Sequence, residues 1–197
     1  MKLGFLASHH GSNVQAVVDA CRAGRLTATP CVVISNNGES EALARARRQG
    51  IARYHLSGVT HPAPGQLDAA IVDALSRHGV ELVVLAGYMK KLGPSTLARY
   101  HGRVLNIHPA LLPRFGGPGM YGRHVHEAVL AAGERETGIT IHLVDGEYDH
   151  GPILAQCRVD VRDGDTAASL AERVLAREHA FLVETLDRIL RGDLILP

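Results

Sequence analysis

The amino-acid sequence predicts an α/β protein with a doubly wound, mostly parallel sheet and helices on both of its faces. In the first half of the chain, short apolar segments alternate with segments of helical spacing, which is the pattern of repeated strand–helix units. Leu82–Ala86 is apolar throughout, as expected for a strand buried on both faces. Two later strands are joined by the short connection 145–152, which favours an antiparallel pair near the C-terminal end.

Each predicted strand is a short apolar or alternating segment that ends at a turn. The predicted strands are Lys2–Ala7, Pro30–Ser35, Ile51–Leu56, Leu82–Ala86, Leu105–His108, Ile139–Val144 and Ile153–Val161. The predicted sheet therefore has about seven strands.

Apolar residues at helical spacing lie between these strands, and glycines mark several of the helix ends. Ser40 is the expected N-cap of the second helix, and Pro94 suits the first turn of the fourth. The predicted helices are Val14–Ala23, residues 41–49, Gln66–His78, Pro94 to about Tyr100, His124–Ala132, and Asp165 or Thr166 to about Arg191.

The segment Gly116–Gly122 is too rich in glycine for regular structure. A plain surface connection and a mobile substrate loop both explain it, and we expect a loop that closes over a ligand. Neither an internal repeat nor a linker is visible, so residues 1–197 are expected to form a single domain.

The composition narrows the classes of function. With 21 Lys and Arg against 20 Asp and Glu, the formal net charge is +1, which gives no sign of a surface for nucleic acid or membrane. No apolar run reaches the length of a membrane span and no signal peptide is recognisable, so a cytoplasmic protein is expected. Cys21, Cys31 and Cys157 lack metal-type spacing and are expected to be free thiols.

Two polar side chains, Asn106 and His108, are spaced two residues apart on a predicted strand, which places both on the same face. Pro109 follows directly and forbids a further ladder bond. An amide NH₂ can donate to a developing oxyanion, and a neighbouring imidazole can donate or move a proton. The pair therefore predicts a site that acts on a carbonyl group, and the alternative is a core histidine with a structural hydrogen bond.

Asp149 lies in the connection between the last two predicted strands. An aspartate in such a loop often only caps a turn, so a functional role requires a partner. His108 is the obvious partner, because a carboxylate beside an imidazole fixes its orientation and favours its charged form. We therefore expect Asp149 to lie close to His108 and to raise its pKa.

The first strand is followed by a turn of small and polar residues, Ser8–Asn13, and then by a helix. This arrangement directs backbone N–H groups at an anion, although a plain strand–helix turn has a similar composition. In a doubly wound sheet, ligands bind beyond the carboxyl ends of the strands. The Gly11 turn, the loop after Ala86 and the end of the Asn106 strand are all expected at that edge.

Three further polar residues invite a functional interpretation on weaker grounds. His124 and His126 are two apart on a predicted helix, so they do not share a face, and no metal site is expected there. For Glu178, on the last helix, spacing alone favours a solvated surface charge.

Several motifs of the chain resemble the phosphoribosylglycinamide formyltransferase family, whose members are folate-dependent enzymes of purine synthesis. The motifs are Gly11-Ser12-Asn13, Leu85-Ala86-Gly87-Tyr88-Met89, Asn106-Ile107-His108-Pro109-Ala110-Leu111-Leu112-Pro113 and Asp149-His150-Gly151-Pro152. They occur in the order and spacing of that family and cover nearly the whole chain. The resemblance implies the formyltransferase fold and transfer of a formyl group from 10-formyltetrahydrofolate to the amine of glycinamide ribonucleotide.

The resemblance also implies a role for each matching residue. The catalytic residues would be Asn106, His108 and Asp149. The residues binding the ribonucleotide would be Gly11, Ser12, Asn13 and Glu178. The residues binding the folate cosubstrate would be Met89, Lys90, Lys91, Leu92, Asn106 and Asp145. The implied partners are these two small molecules, without metal, nucleic acid or membrane, and the implied assembly is a monomer or homodimer.

The chain departs from the family pattern at positions that bear on ligand contacts. Only His61 stands where a basic residue is common, His9 and His10 replace small or amide residues, and Lys90 replaces an arginine. The closest alternatives are a formyltetrahydrofolate hydrolase and a sibling transferase, both of which usually carry an additional domain. A non-catalytic nucleotide-binding module would leave the polar strand pair unexplained, and a dehydrogenase would need the three-glycine fingerprint that the first turn lacks.

Overall fold

A computed structural model describes all residues from 1 to 197 and contains one seven-stranded sheet of order β3-β2-β1-β4-β5-β6-β7. The strands are β1 (Lys2–Leu6), β2 (Thr29–Ser35), β3 (Ala52–His55), β4 (Leu82–Leu85), β5 (Val104–His108), β6 (Glu136–Leu143) and β7 (Ile153–Asp160). The helices are α1 (Ser12–Arg22), α2 (Glu41–Arg48), α3 (Gln66–Arg77), α4 (Pro94–Arg99), α5 (Arg123–Ala131) and α6 (Ala167–Arg191).

The first five strands pair in parallel, whereas β6 runs antiparallel to both β5 and β7. Apolar side chains from α1, α2, α5 and α6 form the core on one face of the sheet, and those from α3 form the core on the other. The α4 helix packs beside α3. The prediction of a doubly wound, mostly parallel sheet with an antiparallel pair near its C-terminal end is confirmed.

The order of the strands creates a switch point between β1 and β4. The strands β2 and β3 lie on one side of β1. The chain then returns, and β4 pairs with the other side of β1. At such a point the loops after the two neighbouring strands diverge and open a crevice at their carboxyl ends. Here these loops are residues 7–11 and 86–93, which both carry predicted ligand contacts.

Two element boundaries differ from the predicted ones for identifiable reasons. The α1 helix begins at Ser12 rather than Val14, because Gly11 adopts a left-handed conformation and serves as its N-cap. The β6 strand begins at Glu136 rather than Ile139, because its first residues extend the ladder with β7 although they lack an apolar pattern. No helix has both the length and the apolar character needed to cross a membrane.

Candidate active site

A cavity of about 930 Å³ opens at the carboxyl ends of β1, β4 and β5, where the switch point predicts a ligand site. It is also bordered by the glycine-rich loop, by the connection after β6 and by one face of α6. Every site residue predicted from the sequence lines this cavity: Gly11, Ser12, Asn13, Met89, Lys90, Lys91, Leu92, Asn106, His108, Asp145, Asp149 and Glu178.

Asn106 lines the cavity from β5, and its side-chain amide is held by two neighbours. Its Nδ2 lies 3.2 Å from the Asp149 carboxylate and 3.0 Å from His142 Nε2. His142 donates its Nδ1–H to the Leu143 carbonyl at 2.8 Å, so its Nε2 is free to accept from Asn106. Both amide hydrogens of Asn106 therefore have acceptors, and the amide group has a defined orientation.

Analysis of the sequence missed His142, which is fully buried between the sheet and the cavity. The antiparallel register places His142 opposite Asn106 and Thr140 opposite His108. Thr140 donates to the Ala110 carbonyl and accepts from Leu112 N, so it fixes the turn that follows His108. The sequence indicated this pair through the spacing of Thr140 and His142, two polar residues two apart in the otherwise apolar segment Ile139–Val144.

His108 is 3% exposed, and its two ring nitrogens have different partners. Nε2 lies 2.7 Å from the Phe115 carbonyl oxygen, which can only accept, so Nε2 carries a hydrogen. Nδ1 faces Asp149 Oδ2 at 3.5 Å. The expected proximity of His108 and Asp149 is thus present in the structure, and Nδ1 is the nitrogen at which a proton is gained or lost.

The pKa of His108 does not follow the expectation drawn from the sequence. Burial disfavours the imidazolium more than the charge of Asp149 and the Phe115 carbonyl favour it, so the pKa lies below its ordinary value. The predicted rise of this pKa is therefore wrong. The strand spacing identified the partner of the imidazole but contained no information about how deeply the ring is buried.

Asp149 connects Asn106 and His108 to the glycine-rich loop. Its backbone has a φ of 53°, in the left-handed region that a non-glycine residue adopts infrequently. Its Oδ2 accepts the Gly117 N–H at 3.0 Å in addition to facing His108. Burial raises the pKa of this carboxyl, but His142 and His108 in their protonated forms, together with the Gly117 N–H, outweigh that effect and keep the pKa below its ordinary value.

At one end of the cavity the turn before α1 presents unpaired backbone donors. The N–H groups of Ser12, Asn13 and Val14 have no protein acceptor, and no side chain caps the helix. A Cβ on Gly11 would lie 2.7 Å from the Ala42 side chain, so only glycine suits this close approach. Arg45, which the sequence analysis missed, donates to the His10 carbonyl and lines this end of the cavity.

Glu178 is 7% exposed and accepts a hydrogen bond from Asn13 Nδ2 at 2.8 Å, so the expectation of a solvated surface charge from spacing alone is wrong. Burial raises its pKa to about 7, although the bond from Asn13 partly opposes this shift. The sequence contained an indication that Glu178 is buried, because Glu178 lies four residues from both Val174 and Leu182, which are core residues of α6.

Replacing Glu178 by glutamine is expected to remove a pH-dependent cost of folding. The wild-type carboxyl is stably accommodated below its ordinary pKa of 4.5, and this advantage is lost as the pH rises through about 7. Above that pH the variant should be more stable than wild type by on the order of 3 kcal/mol. Melting temperatures measured from pH 5 to pH 8.5 test this difference.

Glu184→Gln is the matched control, since Glu184 lies on the same helix but is paired with Arg177, which lowers its pKa. That variant should gain no stability as the pH rises. If the Glu178→Gln and wild-type melting temperatures run parallel over the whole range, Glu178 does not titrate as the structure indicates.

At the other end of the cavity two loops face each other. The backbone N–H groups of Lys90, Lys91 and Leu92 have no protein acceptor and are free to bind a ligand. Lys91 Nζ reaches across to the Gly146 carbonyl at 3.0 Å and lies 5.2 Å from the centre of the Tyr148 ring. The contacts of the lysine connect the loop after β4 to the connection that carries Asp145 and Asp149.

The remaining histidines singled out in the sequence have different locations. His9 and His10 are exposed and line the cavity beside Arg45, whereas His61 lies outside it and contacts Thr60. His126 is buried and borders the cavity, while His124 is exposed next to Glu127.

The glycine-rich segment 116–122 has no helix or strand and covers part of the cavity, and its closure on a ligand stays a prediction.

Comparison with known proteins gives concordant results. The model of the family described as "Formyl transferase" matches residues 1–186. The chain is 42% identical to a phosphoribosylglycinamide formyltransferase of Mycobacterium tuberculosis, over 92% of this chain and 81% of that protein. It is 40% identical to a chloroplastic protein of the same name from Arabidopsis thaliana, over 95% of this chain and 65% of that longer protein. Glycinamide ribonucleotide transformylase 1 of Symbiobacterium toebii has the same fold, with a TM-score of 0.92 and 38% identity over 100% of this chain and 91% of that one.

Proposed function

This chain belongs to the formyl transferase family, and from that premise we propose that it transfers the formyl group of 10-formyltetrahydrofolate to the amine of phosphoribosylglycinamide, a step of purine biosynthesis. One observation supports the proposal most strongly: Asn106, His108 and Asp149 meet in the wall of a cavity that also contains two groups of unpaired backbone donors. The relatives of the same name support this choice of acceptor.

The two ends of the cavity suit the two substrates. The helix N-terminus at Ser12–Val14 favours a phosphate group, because the helix dipole and the free N–H groups both attract an anion. Glu178 lies next to Asn13, in reach of ribose hydroxyls. The free N–H groups of residues 90–92 suit the acceptor atoms of a heteroaromatic ring such as that of folate.

The oxyanion of the tetrahedral intermediate requires a hydrogen-bond donor inside the cavity. Asn106 Nδ2 is the group that lies there, but its hydrogens are engaged by Asp149 and His142 in the free protein. In the proposed reaction the oxyanion takes the place of one of these two acceptors. The other bond keeps the amide in place, so stabilisation develops where the negative charge appears.

His108 accounts for the proton that the reaction moves. Since burial lowers its pKa, the imidazole is mostly neutral before the reaction, with a lone pair on Nδ1. The amine attacks the formyl carbon and loses a proton, which Nδ1 accepts, and the resulting imidazolium passes this proton to the departing folate nitrogen. Asp149 stabilises the imidazolium in between, and the amine serves as nucleophile, so the proposed mechanism uses neither a protein nucleophile nor a metal.

A direct assay tests the proposed function. Purified protein is mixed with 10-formyltetrahydrofolate and phosphoribosylglycinamide, and release of tetrahydrofolate is followed together with formylation of the amine. We expect both products in equal amounts and no release with water alone. Equal release of tetrahydrofolate without the ribonucleotide would instead identify a hydrolase.

Inorganic phosphate is expected to bind at the N-terminus of α1. In crystals soaked with phosphate, density should appear over the N–H groups of Ser12, Asn13 and Val14. The α3 helix is an internal control, because Gly65 is also a left-handed N-cap without a side-chain cap but lies outside the cavity. Density at α3 or elsewhere in the cavity, with none at α1, would contradict the assignment.

A further inference from the structure

The loop after β4, residues 87–93, contains no helix or strand, although it forms one wall of the cavity. Because the N–H groups of Lys90, Lys91 and Leu92 are unpaired, the backbone bonds of this loop do not determine its conformation. Its conformation therefore depends on the contacts at its two ends and on the Lys91 side chain.

The first end of the loop is held by Ser8, which is fully buried at the end of β1. The Ser8 N–H donates to the Gly87 carbonyl at 3.0 Å, and its hydroxyl oxygen accepts the Met89 N–H at 2.7 Å. The same hydroxyl donates to the Asn36 side chain. These contacts position residues 87–89 and leave residues 90–93 without support from this side.

The second end of the loop is held by Asp68, which belongs to α3 and is 8% exposed. Its Oδ2 accepts the Ser95 N–H at 2.7 Å, and its Oδ1 accepts both the Thr96 N–H at 3.0 Å and the Thr96 hydroxyl at 2.5 Å. Three donors thus converge on one buried carboxylate at the start of α4. No side chain of the α4 segment itself caps this helix.

The approach of the loop to Asp68 is unusually close. A Cβ on Gly93 would lie 2.3 Å from the Asp68 carboxyl carbon, so the backbone of the loop passes directly against the carboxylate. A negative charge at a helix N-terminus is favourable and compensates for burial. Burial raises the pKa of Asp68, but the bonds from Thr96 and Ser95 outweigh burial, so the pKa lies below its ordinary value. This direction agrees with a carboxylate that stays charged at the start of α4.

We infer that Asp68 is a positioning residue for the folate cosubstrate: it anchors the end of the loop and thereby aims the free N–H groups of residues 90–92 into the cavity. The inference rests on the proposed function, because it assumes that folate occupies this end of the cavity. Asp68 itself does not line the cavity. Its effect on binding is therefore transmitted through Gly93 and the first turn of α4.

Asp68→Asn separates this role from a purely structural one. The variant retains the shape of the side chain, but the NH₂ group of the amide can no longer accept the Ser95 N–H. We expect the Kd of tetrahydrofolate, measured by calorimetry, to rise about tenfold because binding must now order the loop. The Kd of phosphoribosylglycinamide should change less than about twofold, and amide hydrogen exchange in residues 88–93 should accelerate.

Leu75→Ala is the matched control, since Leu75 is a fully buried core residue on the same helix, accepts none of the bonds from the first turn of α4 and does not line the cavity. It should lower the melting temperature without changing the Kd of tetrahydrofolate. If wild type binds tetrahydrofolate and Asp68→Asn binds it equally well, Asp68 is a structural cap only and the inference is overturned. If wild type binds no tetrahydrofolate, the proposed function is wrong and the inference fails with it.

Discussion

Replacing Asp149 by asparagine is expected to lower kcat about a hundredfold or more, while the Kd of phosphoribosylglycinamide stays within about twofold of wild type. The substitution preserves the size of the side chain but removes the charge that stabilises the His108 imidazolium as it forms. Because His108 is buried, little solvent is available to replace that charge. Steady-state kinetics together with ribonucleotide binding by calorimetry measure the two effects separately.

The control for this variant is Asp73→Asn, which removes an exposed carboxylate on α3 and should leave kcat unchanged. A structural role for Asp149 predicts the opposite pattern, with nearly normal turnover and a lower melting temperature. A fully active Asp149→Asn protein would exclude the proton relay through His108.

Truncation of Asn106 to alanine is the second change for which we expect a large loss. Removing one preorganised oxyanion donor costs about 10²- to 10³-fold in kcat. The loss should appear in kcat more than in the KM values. In the proposed mechanism the amide contacts Asp149 and His142 in the free protein and bonds to the ligand only as charge develops.

Asn37→Ala provides the comparison, since Asn37 lies on the exposed loop after β2 and its side chain contacts only the Glu39 N–H. It should be fully active. An Asn106→Ala variant with normal kcat and a raised KM for folate would show that the amide only binds the cosubstrate and does not stabilise the oxyanion.

The sequence was sufficient to predict the architecture and the position of the cavity. The regular alternation of apolar and helical segments predicts the parallel sheet, and ligands of such a sheet bind beyond the carboxyl ends of its strands. The strand order itself, with its switch point, is known only from the structure. The two-residue spacing of Asn106 and His108 placed both on one face of β5. These features depend on local periodicity, which a single sequence displays directly.

Features that depend on the register of the strands or on how deeply a side chain is buried are harder to predict from the sequence. His142 lies opposite Asn106 only because β6 runs antiparallel to β5 with one particular register, which the sequence did not specify. The sequence predicts a raised pKa for His108, because it indicates the attraction of Asp149 but not the cost of burying the ring. Spacing alone predicts a surface position for Glu178, because it gives the charge more weight than the apolar neighbours on the same helical face. Only the resemblance placed Glu178 among the residues that bind the ribonucleotide.

The bond from the Gly117 N–H to Asp149 links the position of the glycine-rich loop to the charge of the carboxylate in the proposed mechanism. The oxygen that accepts this N–H is the same one that faces His108 Nδ1. A loop that moves away from Asp149 removes one of the contacts that keep the carboxylate ionised and so weakens the support for the imidazolium. The proposed transfer would then be fastest only when the glycine-rich loop covers Asp149 and His108. This limits the loss of the formyl group to water.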